Sequence, residues 1–123
     1  MSIIGTWDMV HDDWHGALII FPSDQLHRAV DGPCVYTYTI IDGTYTGSDG
    51  KTYALHGSVG GQDANRRTAE ACKQSDHHID FTIAFPNEPP QPFTGYLFTH
   101  KRRTMAGFTW WRGMPFGWYA VKR

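Results

Sequence analysis

Cysteine is scarce in this sequence. Only Cys34 and Cys72 occur among the 123 residues, and their neighbours carry no metal-ligand spacing. They fit a disulfide or two reduced thiols equally well. A chain of this length can bury roughly two thirds of the surface that its unfolded form exposes, so it needs no disulfide or metal to fold. We therefore expect one domain over residues 1–123.

Charge of one sign and long apolar runs are lacking as well. The 11 basic and 12 acidic residues give a net charge of −1 and are scattered along the chain. Nucleic-acid-binding proteins usually carry a one-sided basic patch instead. No apolar run reaches the ~18 residues of a membrane span, and no signal-peptide pattern opens the chain. The composition predicts a cytoplasmic protein whose partners include neither nucleic acid nor a membrane.

Familiar catalytic and metal-binding motifs are also missing. The sequence contains no G-x-S-x-G, P-loop or H-E-x-x-H pattern. His77 and His78 are neighbours, and adjacent strand residues point to opposite faces, so the two rings cannot share an ion. Segment 11–15 holds two histidines and two aspartates on a predicted turn, where a solvated rim is favoured over a metal or acid–base site. We predict no catalytic residue, metal or cofactor, although an enzyme assembled from distant strands stays open.

What the chain does contain is strand signal, because aromatic and β-branched residues recur in runs bounded by Gly, Pro and Asp. In residues 78–85 the apolar side chains alternate with polar ones, as in a strand packed on one face. The predicted strands cover residues 3–10, 16–21, 35–48, 51–59, 78–85, 93–100, 104–111 and 116–122.

For three segments between or within these strands, the sequence leaves more than one local structure open. Residues 23–33 are polar and are predicted to form a loop or barrel rim. Asp42-Gly43 is either a tight hairpin turn or a bend in one long strand, and the bend is favoured because Asp49-Gly50 supplies a turn shortly afterwards. Residues 60–76 are predicted to form a short helix capped by Asp63, or a long loop.

Short connections require neighbouring strands to run antiparallel. A sandwich of eight strands would leave four edges, whereas a closed barrel leaves none and can hold one small ligand. The sequence therefore predicts an all-β protein, an eight-stranded antiparallel up-and-down β-barrel.

Several motifs carry a family resemblance. Gly5-Thr6-Trp7, with Lys122 and Arg123 at the chain end, is similar to the calycin superfamily, where a basic side chain of the last strand covers a first-strand tryptophan. The order Leu55-His56-Gly57, 81–85, 93–95 and Thr109-Trp110 resembles the avidin and streptavidin family.

The resemblance implies a ligand site at the open end of the barrel. The family's aromatic walls fall on Phe85, Phe93 and Trp110, and its ureido-binding tyrosine falls on Tyr45. Met9 stands in place of an asparagine, and Trp118 lies near the position of a missing aspartate, so biotin is not the expected ligand. For each of these residues, core packing is the alternative.

We therefore expect a barrel that binds a small apolar or aromatic molecule. The alternatives are an enzyme of cyclase, isomerase or hydrolase type that uses Tyr45, His56 or His11, and a protein-interaction module with a filled barrel.

If Trp110 faces inward, its neighbour Trp111 faces outward. Together with Met114 and Phe116, and with Arg112 at the rim, it would form an apolar patch. This patch, and the resemblance, predict a homodimer or homotetramer.

Overall fold

A computed structural model describes residues 3–31, 34–63, 77–98 and 103–123. Within these ranges the chain forms eight β-strands and no helix. The strands are β1 (Gly5–His11), β2 (Trp14–Asp31), β3 (Cys34–Gly47), β4 (Thr52–Asp63), β5 (His78–Ile83), β6 (Gln91–Leu97), β7 (Thr104–Trp111) and β8 (Met114–Lys122).

The strands close into a barrel in which each pairs antiparallel with its neighbours in sequence. Closure comes from β1, which pairs with β2 on one side and with β8 on the other, where Trp7 lies opposite Lys122. The predicted all-β, eight-stranded antiparallel barrel is therefore confirmed. No helix in the described ranges is long and apolar enough to cross a lipid bilayer.

Two expectations about loops are wrong. Residues 23–31 belong to β2. Pro22 has no N–H to donate to a neighbouring strand, and β2 continues past it through a bulge. There β2 advances from Pro22 to Leu26 while β3 advances only from Ile41 to Thr39. Residues 60–63 likewise extend β4, in which Asp63 pairs with Tyr36. The rest of the predicted helix, and Cys72, lie outside the described residues.

The favoured interpretation of Asp42-Gly43 is confirmed, since β3 runs unbroken through both residues. Gly43 is buried, and a Cβ there would collide with the carbonyl oxygen of Ile19. Glycine thus lets two backbones approach closely at this point of the wall. The turn comes instead at Asp49-Gly50, where Gly50 has φ 82°.

Alternation along the strands fills the barrel with apolar side chains. On β1, Trp7, Met9 and His11 are buried while Asp8 is exposed, and β5, β6 and β8 show the same two-residue period. The buried apolar residues form one cluster: Ile3, Trp7, Met9, Leu18, Ile20, Ile41, Tyr45, Leu55, Val59, Ile79, Phe81, Ile83, Phe93, Leu97, Met105, Trp118 and Ala120.

An up-and-down barrel places its connections alternately at its two ends. The connections that follow β1, β3, β5 and β7 meet at one end, which we call the hairpin end. Two of them are two-residue turns with positive φ at both central residues, Asp12-Asp13 (46° and 64°) and Arg112-Gly113 (51° and 81°). Such turns match the right-handed twist of the paired strands.

Trp7 anchors the opposite end of the barrel. Its side chain is fully buried, and its Nε1 donates to the carbonyl oxygen of Ile3 at 2.8 Å. The Lys122 ammonium lies 5.8 Å from the ring centre, within cation–π range. Arg123 pairs instead with Asp8, at 2.8 Å. The predicted cover of the first-strand tryptophan by a basic residue of the last strand is confirmed for Lys122.

We expect Trp7→Ala to lower the free energy of unfolding by ~3–5 kcal/mol, because it removes a fully buried aromatic ring. Urea denaturation followed by circular dichroism measures the change. Trp14→Ala is the matched control, since Trp14 is 64% exposed, and its effect should stay below about 1 kcal/mol. Equal losses in the two variants would contradict the anchoring role of Trp7.

Candidate functional site

A pocket of about 480 Å³ opens at the hairpin end. Three of the four connections of that end, and the adjoining strand ends, contribute to its wall. The lining residues are His11, Asp12, Trp14, Tyr45, Gly47, Ser48, Asp49, Tyr53, Phe85, Pro86, Glu88, Gln91, Thr109, Trp111 and Phe116.

Aromatic rings from four different strands or strand ends form much of the wall. Phe85 is the central one: its ring centre lies 4.9 Å from that of Tyr53, 6.0 Å from that of Tyr45 and 6.5 Å from that of Trp111. The Tyr45 and Trp111 contacts are edge-to-face, which is a favourable arrangement for aromatic pairs. The rings support one another, and the wall is built before any ligand arrives.

His11 and Tyr45 form a buried polar pair in this wall. His11 Nε2 and Tyr45 Oη are 3.2 Å apart, and His11 is only 7% exposed. The tyrosine ring lies directly over Gly16, where a Cβ would collide with it. Gly16 therefore sets the position of the phenol. The hydrogen bond gives the buried Tyr45 hydroxyl a partner, without which its burial would cost free energy.

Burial keeps both members of the pair uncharged near neutral pH. Desolvation lowers the pKa of His11 below the usual 6.5, although nearby Asp12 partly opposes the shift. Desolvation also raises the pKa of Tyr45, with a smaller contribution from Asp49. A neutral imidazole and a neutral phenol therefore meet there, and either ring can donate the shared proton.

A second polar pair joins β6 and β7. Gln91 Nε2 donates to Thr109 Oγ1 at 2.8 Å, and Thr109 Oγ1 donates to the carbonyl oxygen of Pro92, also at 2.8 Å. The hydroxyl has a single proton, and a carbonyl can only accept it, so Gln91 must present its N–H to Thr109. The orientation of the Gln91 amide is thus determined by the network.

Below the pocket the barrel is filled. Phe81 and Phe93 stack with ring centres 5.0 Å apart, and the Trp118 indole packs edge-on against both. Trp118 Nε1 donates to the carbonyl oxygens of Thr94 and Phe108, at 3.1 Å each. A Cβ at Gly95 would lie 2.9 Å from the indole, so this glycine makes room for it.

Five of the six sequence-predicted site residues lie in the pocket wall or in the barrel interior. Tyr45 and Phe85 line the pocket. Met9, Phe93 and Trp118 are buried in the barrel interior but are not among the lining residues. Whether any of these five binds a ligand stays a prediction.

The inward placement of Trp110 is wrong. Thr109 is fully buried, Trp110 is 38% exposed, and Trp111 lines the pocket. The two-residue period puts Thr109 and Trp111 on the same face, and Trp110 on the other. Trp111 and Phe116 therefore belong to the pocket and do not form the expected outer patch with Met114.

Three further lining residues share a signal that the sequence contains. Tyr53 and Gln91 lie two residues from the buried Leu55 and Phe93, and Thr109 lies four residues from the buried Met105, so strict alternation would have found them. His56, considered as a proton donor, lies on the outer wall, 67% exposed, with its Nδ1 2.6 Å from Asp42. His11 was considered for the same role, and it does line the pocket.

A metal site needs several ligand side chains close together. Among the residues that the structure describes, no three His, Cys, Asp or Glu side chains come together as metal ligands would. The histidines and aspartates of segment 11–15 are spread over a tight turn, and only His11 of that group is buried.

Comparison with known proteins adds no family. The chain matches no protein-family model, and no curated protein matches it.

The lowered pKa of His11 predicts how stability depends on pH. Below about pH 6.5 the unfolded chain takes up a proton at this residue while the folded protein resists it. Stability that is present above pH 6.5 should therefore be lost as the pH falls through the folded-state pKa. Urea midpoints at pH 7.5, 6.5 and 5.5 should fall more steeply for the parent protein than for His11→Gln. Parallel profiles would contradict the prediction.

Proposed function

We propose that this protein binds a small apolar or aromatic molecule in the pocket at the hairpin end of its barrel. The observation that carries the proposal is a pocket of about 480 Å³ lined by aromatic rings, with two buried polar pairs. Small-molecule sites typically occupy roughly 300–1,000 Å³ and combine apolar walls with a few placed polar groups. The mutual packing of the rings supports a preformed site, which costs little to order on binding.

Biotin is not the ligand that we propose. Binding a urea-like group demands buried donors and acceptors around it. The avidin resemblance places Met9 and Trp118 where such groups would be needed. Met9 has no hydrogen-bonding group of that strength, and the Trp118 N–H already donates to two backbone carbonyls.

The His11–Tyr45 pair favours a second candidate, an enzyme of cyclase, isomerase or hydrolase type that uses the same pocket. A neutral imidazole hydrogen-bonded to a phenol can donate or accept a proton from a bound substrate. Recovery of the bound molecule unchanged after prolonged incubation supports binding alone, whereas its conversion, abolished in His11→Gln, would favour catalysis.

Self-association is the third part of the proposal, now on a different surface from the one that the sequence suggested. The outward positions of β6, β7 and β8 carry no charge and include four exposed aromatics. Such a continuous apolar face is unusual on a monomer, and an uncharged face can meet its own copy without repulsion. The exposed aromatics are Tyr96 (53%), Phe108 (60%), Trp110 (38%) and Tyr119 (50%).

Native mass spectrometry of the protein purified from its own host tests the binding function. We expect a retained small molecule, and Phe85→Ala should lower its affinity about tenfold, because an aromatic contact contributes about 1.5 kcal/mol. Phe21→Ala is the matched control: the same substitution removes a ring that is 45% exposed on the outer wall, outside the pocket lining and away from the self-association face.

Two outcomes would count against the proposal. One is a protein that carries no molecule from its host and takes up none from a library of apolar and aromatic compounds. The other is a retained molecule that Phe21→Ala and Phe85→Ala weaken equally, which would place the site outside the pocket.

Sedimentation at micromolar concentration tests self-association. The parent protein should sediment at two or four times the 14.0 kDa chain mass, and Trp110→Glu should shift it to monomer, because a charge in an apolar interface is costly. Trp14→Glu introduces the same charge at a tryptophan away from that face and should leave the mass unchanged. A parent protein that is already monomeric would refute the prediction.

A further inference from the structure

The charges around the pocket are mostly of one sign. Three carboxylates belong to its lining, from Asp12, Asp49 and Glu88, while no lysine or arginine does. Across the four connections at the hairpin end, the described charged residues are Asp12, Asp13, Asp49, Lys51, Glu88 and Arg112. The lining therefore favours positive charge over negative charge in its occupant.

Arg112, a cation of the protein itself, lies at the edge of this pocket. Arg112 pairs with Glu88, with Nη2 and Oε1 3.0 Å apart, and its guanidinium carbon lies 5.6 Å from the centre of the Trp111 ring. Glu88 and Trp111 both line the pocket, whereas Arg112 does not. The mouth thus brings together a carboxylate and an aromatic face, the groups used to recognise organic cations, and the protein's own Arg112 is held by both.

The aromatic wall points in the same direction. Tyr53, Phe85 and Trp111 present ring surfaces to the pocket, and the face of an aromatic ring carries negative potential. Their potential attracts a cation more strongly where water is partly excluded. His11, the remaining basic side chain in the lining, is kept neutral by burial and does not oppose such a ligand.

Gln91 supplies an independent indication. Its side chain lines the pocket and is 5% exposed, and its N–H donates to Thr109. Among the described residues no buried side-chain nitrogen or oxygen lacks a hydrogen-bond partner. The Gln91 amide oxygen, which this hydrogen bond does not use, is therefore open to the pocket that Gln91 lines. It presents negative partial charge to whatever occupies the pocket.

We propose that the ligand is a small organic cation, an ammonium group bearing apolar or aromatic substituents. Its charged nitrogen lies between the rings of Phe85 and Trp111 and the carboxylates of Asp49 and Glu88, and its apolar part extends along the aromatic wall. This inference rests on the proposed binding function and adds the chemical class of the ligand.

A matched set of probes tests the charge requirement. Phenyltrimethylammonium and tert-butylbenzene have the same shape and differ in charge, and benzenesulfonate is the anionic counterpart. Ligand-observed NMR and tryptophan fluorescence should show the cation binding roughly 5- to 30-fold more tightly than the neutral isostere. The sulfonate should bind most weakly. Raising the salt from 0.05 to 0.5 M should weaken only the cation, because screening acts on charge.

Charge-neutralising variants locate the effect. Asp49→Asn keeps an oxygen that can accept from the Lys51 N–H, a contact of 3.0 Å in the parent protein, and should weaken the cation severalfold without changing tert-butylbenzene. Glu88→Gln should do the same, whereas Arg112→Gln should tighten cation binding, because it removes a competing charge from Glu88 and Trp111. Asp80→Asn neutralises an exposed carboxylate on β5, outside the pocket lining, and should change neither probe.

The outcomes separate this inference from the binding function itself. If tert-butylbenzene or benzenesulfonate binds as tightly as the cation, the cation class is wrong and the binding function stands. If Asp49→Asn and Asp80→Asn changed the affinity for the cation equally, the inference would also be wrong, because the cation would then lie outside the pocket. If none of the probes binds while native mass spectrometry finds a retained neutral or anionic molecule, the inference again fails alone. If nothing binds and nothing is retained, both fail.

Discussion

Closure of the barrel through the pairing of β1 with β8 is the constraint on which the rest of the molecule depends. Once Trp7 lies opposite Lys122, every strand has two neighbours and every residue has a fixed face. The same closure brings the connections after β1, β3, β5 and β7 to one end. His11, Tyr45 and Gln91, far apart in the chain, then meet around one pocket because they are inward residues near that end.

Much of the fold could be predicted because its signals are local. The turns at Asp12-Asp13 and Asp49-Gly50, the alternation in β5 and the short connections all follow from residue type and spacing. The segment after Pro22 could not be predicted in this way. Its polar composition is that of a loop, and only pairing with β3, a non-local interaction, makes it a strand.

Of the residues that line the pocket, the sequence allowed only aromatic ones to be assigned to the site. Tyr45 and Phe85 could be located from a family resemblance and from alternation. The members of the two polar pairs, His11 with Tyr45 and Gln91 with Thr109, lie 34 and 18 residues apart in sequence. Alternation can place each of them inside the barrel, but no local pattern shows which residues pair. The reversal of Trp110 and Trp111 has another cause: a shift of one residue in phase exchanges the two faces of a strand, and two adjacent tryptophans give no indication of which is inside.

The filled lower half of the barrel determines what the upper half can bind. Trp118, Phe81 and Phe93 occupy the depth that a longer ligand would need, and the hydrogen bonds of Trp118 to two carbonyls hold the indole in place. A ligand must therefore stay within the aromatic layer of Tyr53, Phe85 and Trp111, close to the rim. At that depth the polar group of the proposed ligand would meet Gln91 and the carboxylates of the mouth, because the deeper His11–Tyr45 and Thr109–Pro92 hydrogen bonds are already made within the protein. Under the proposal, binding this close to carboxylates and aromatic faces is the physical reason why charge, more than shape, should discriminate among ligands.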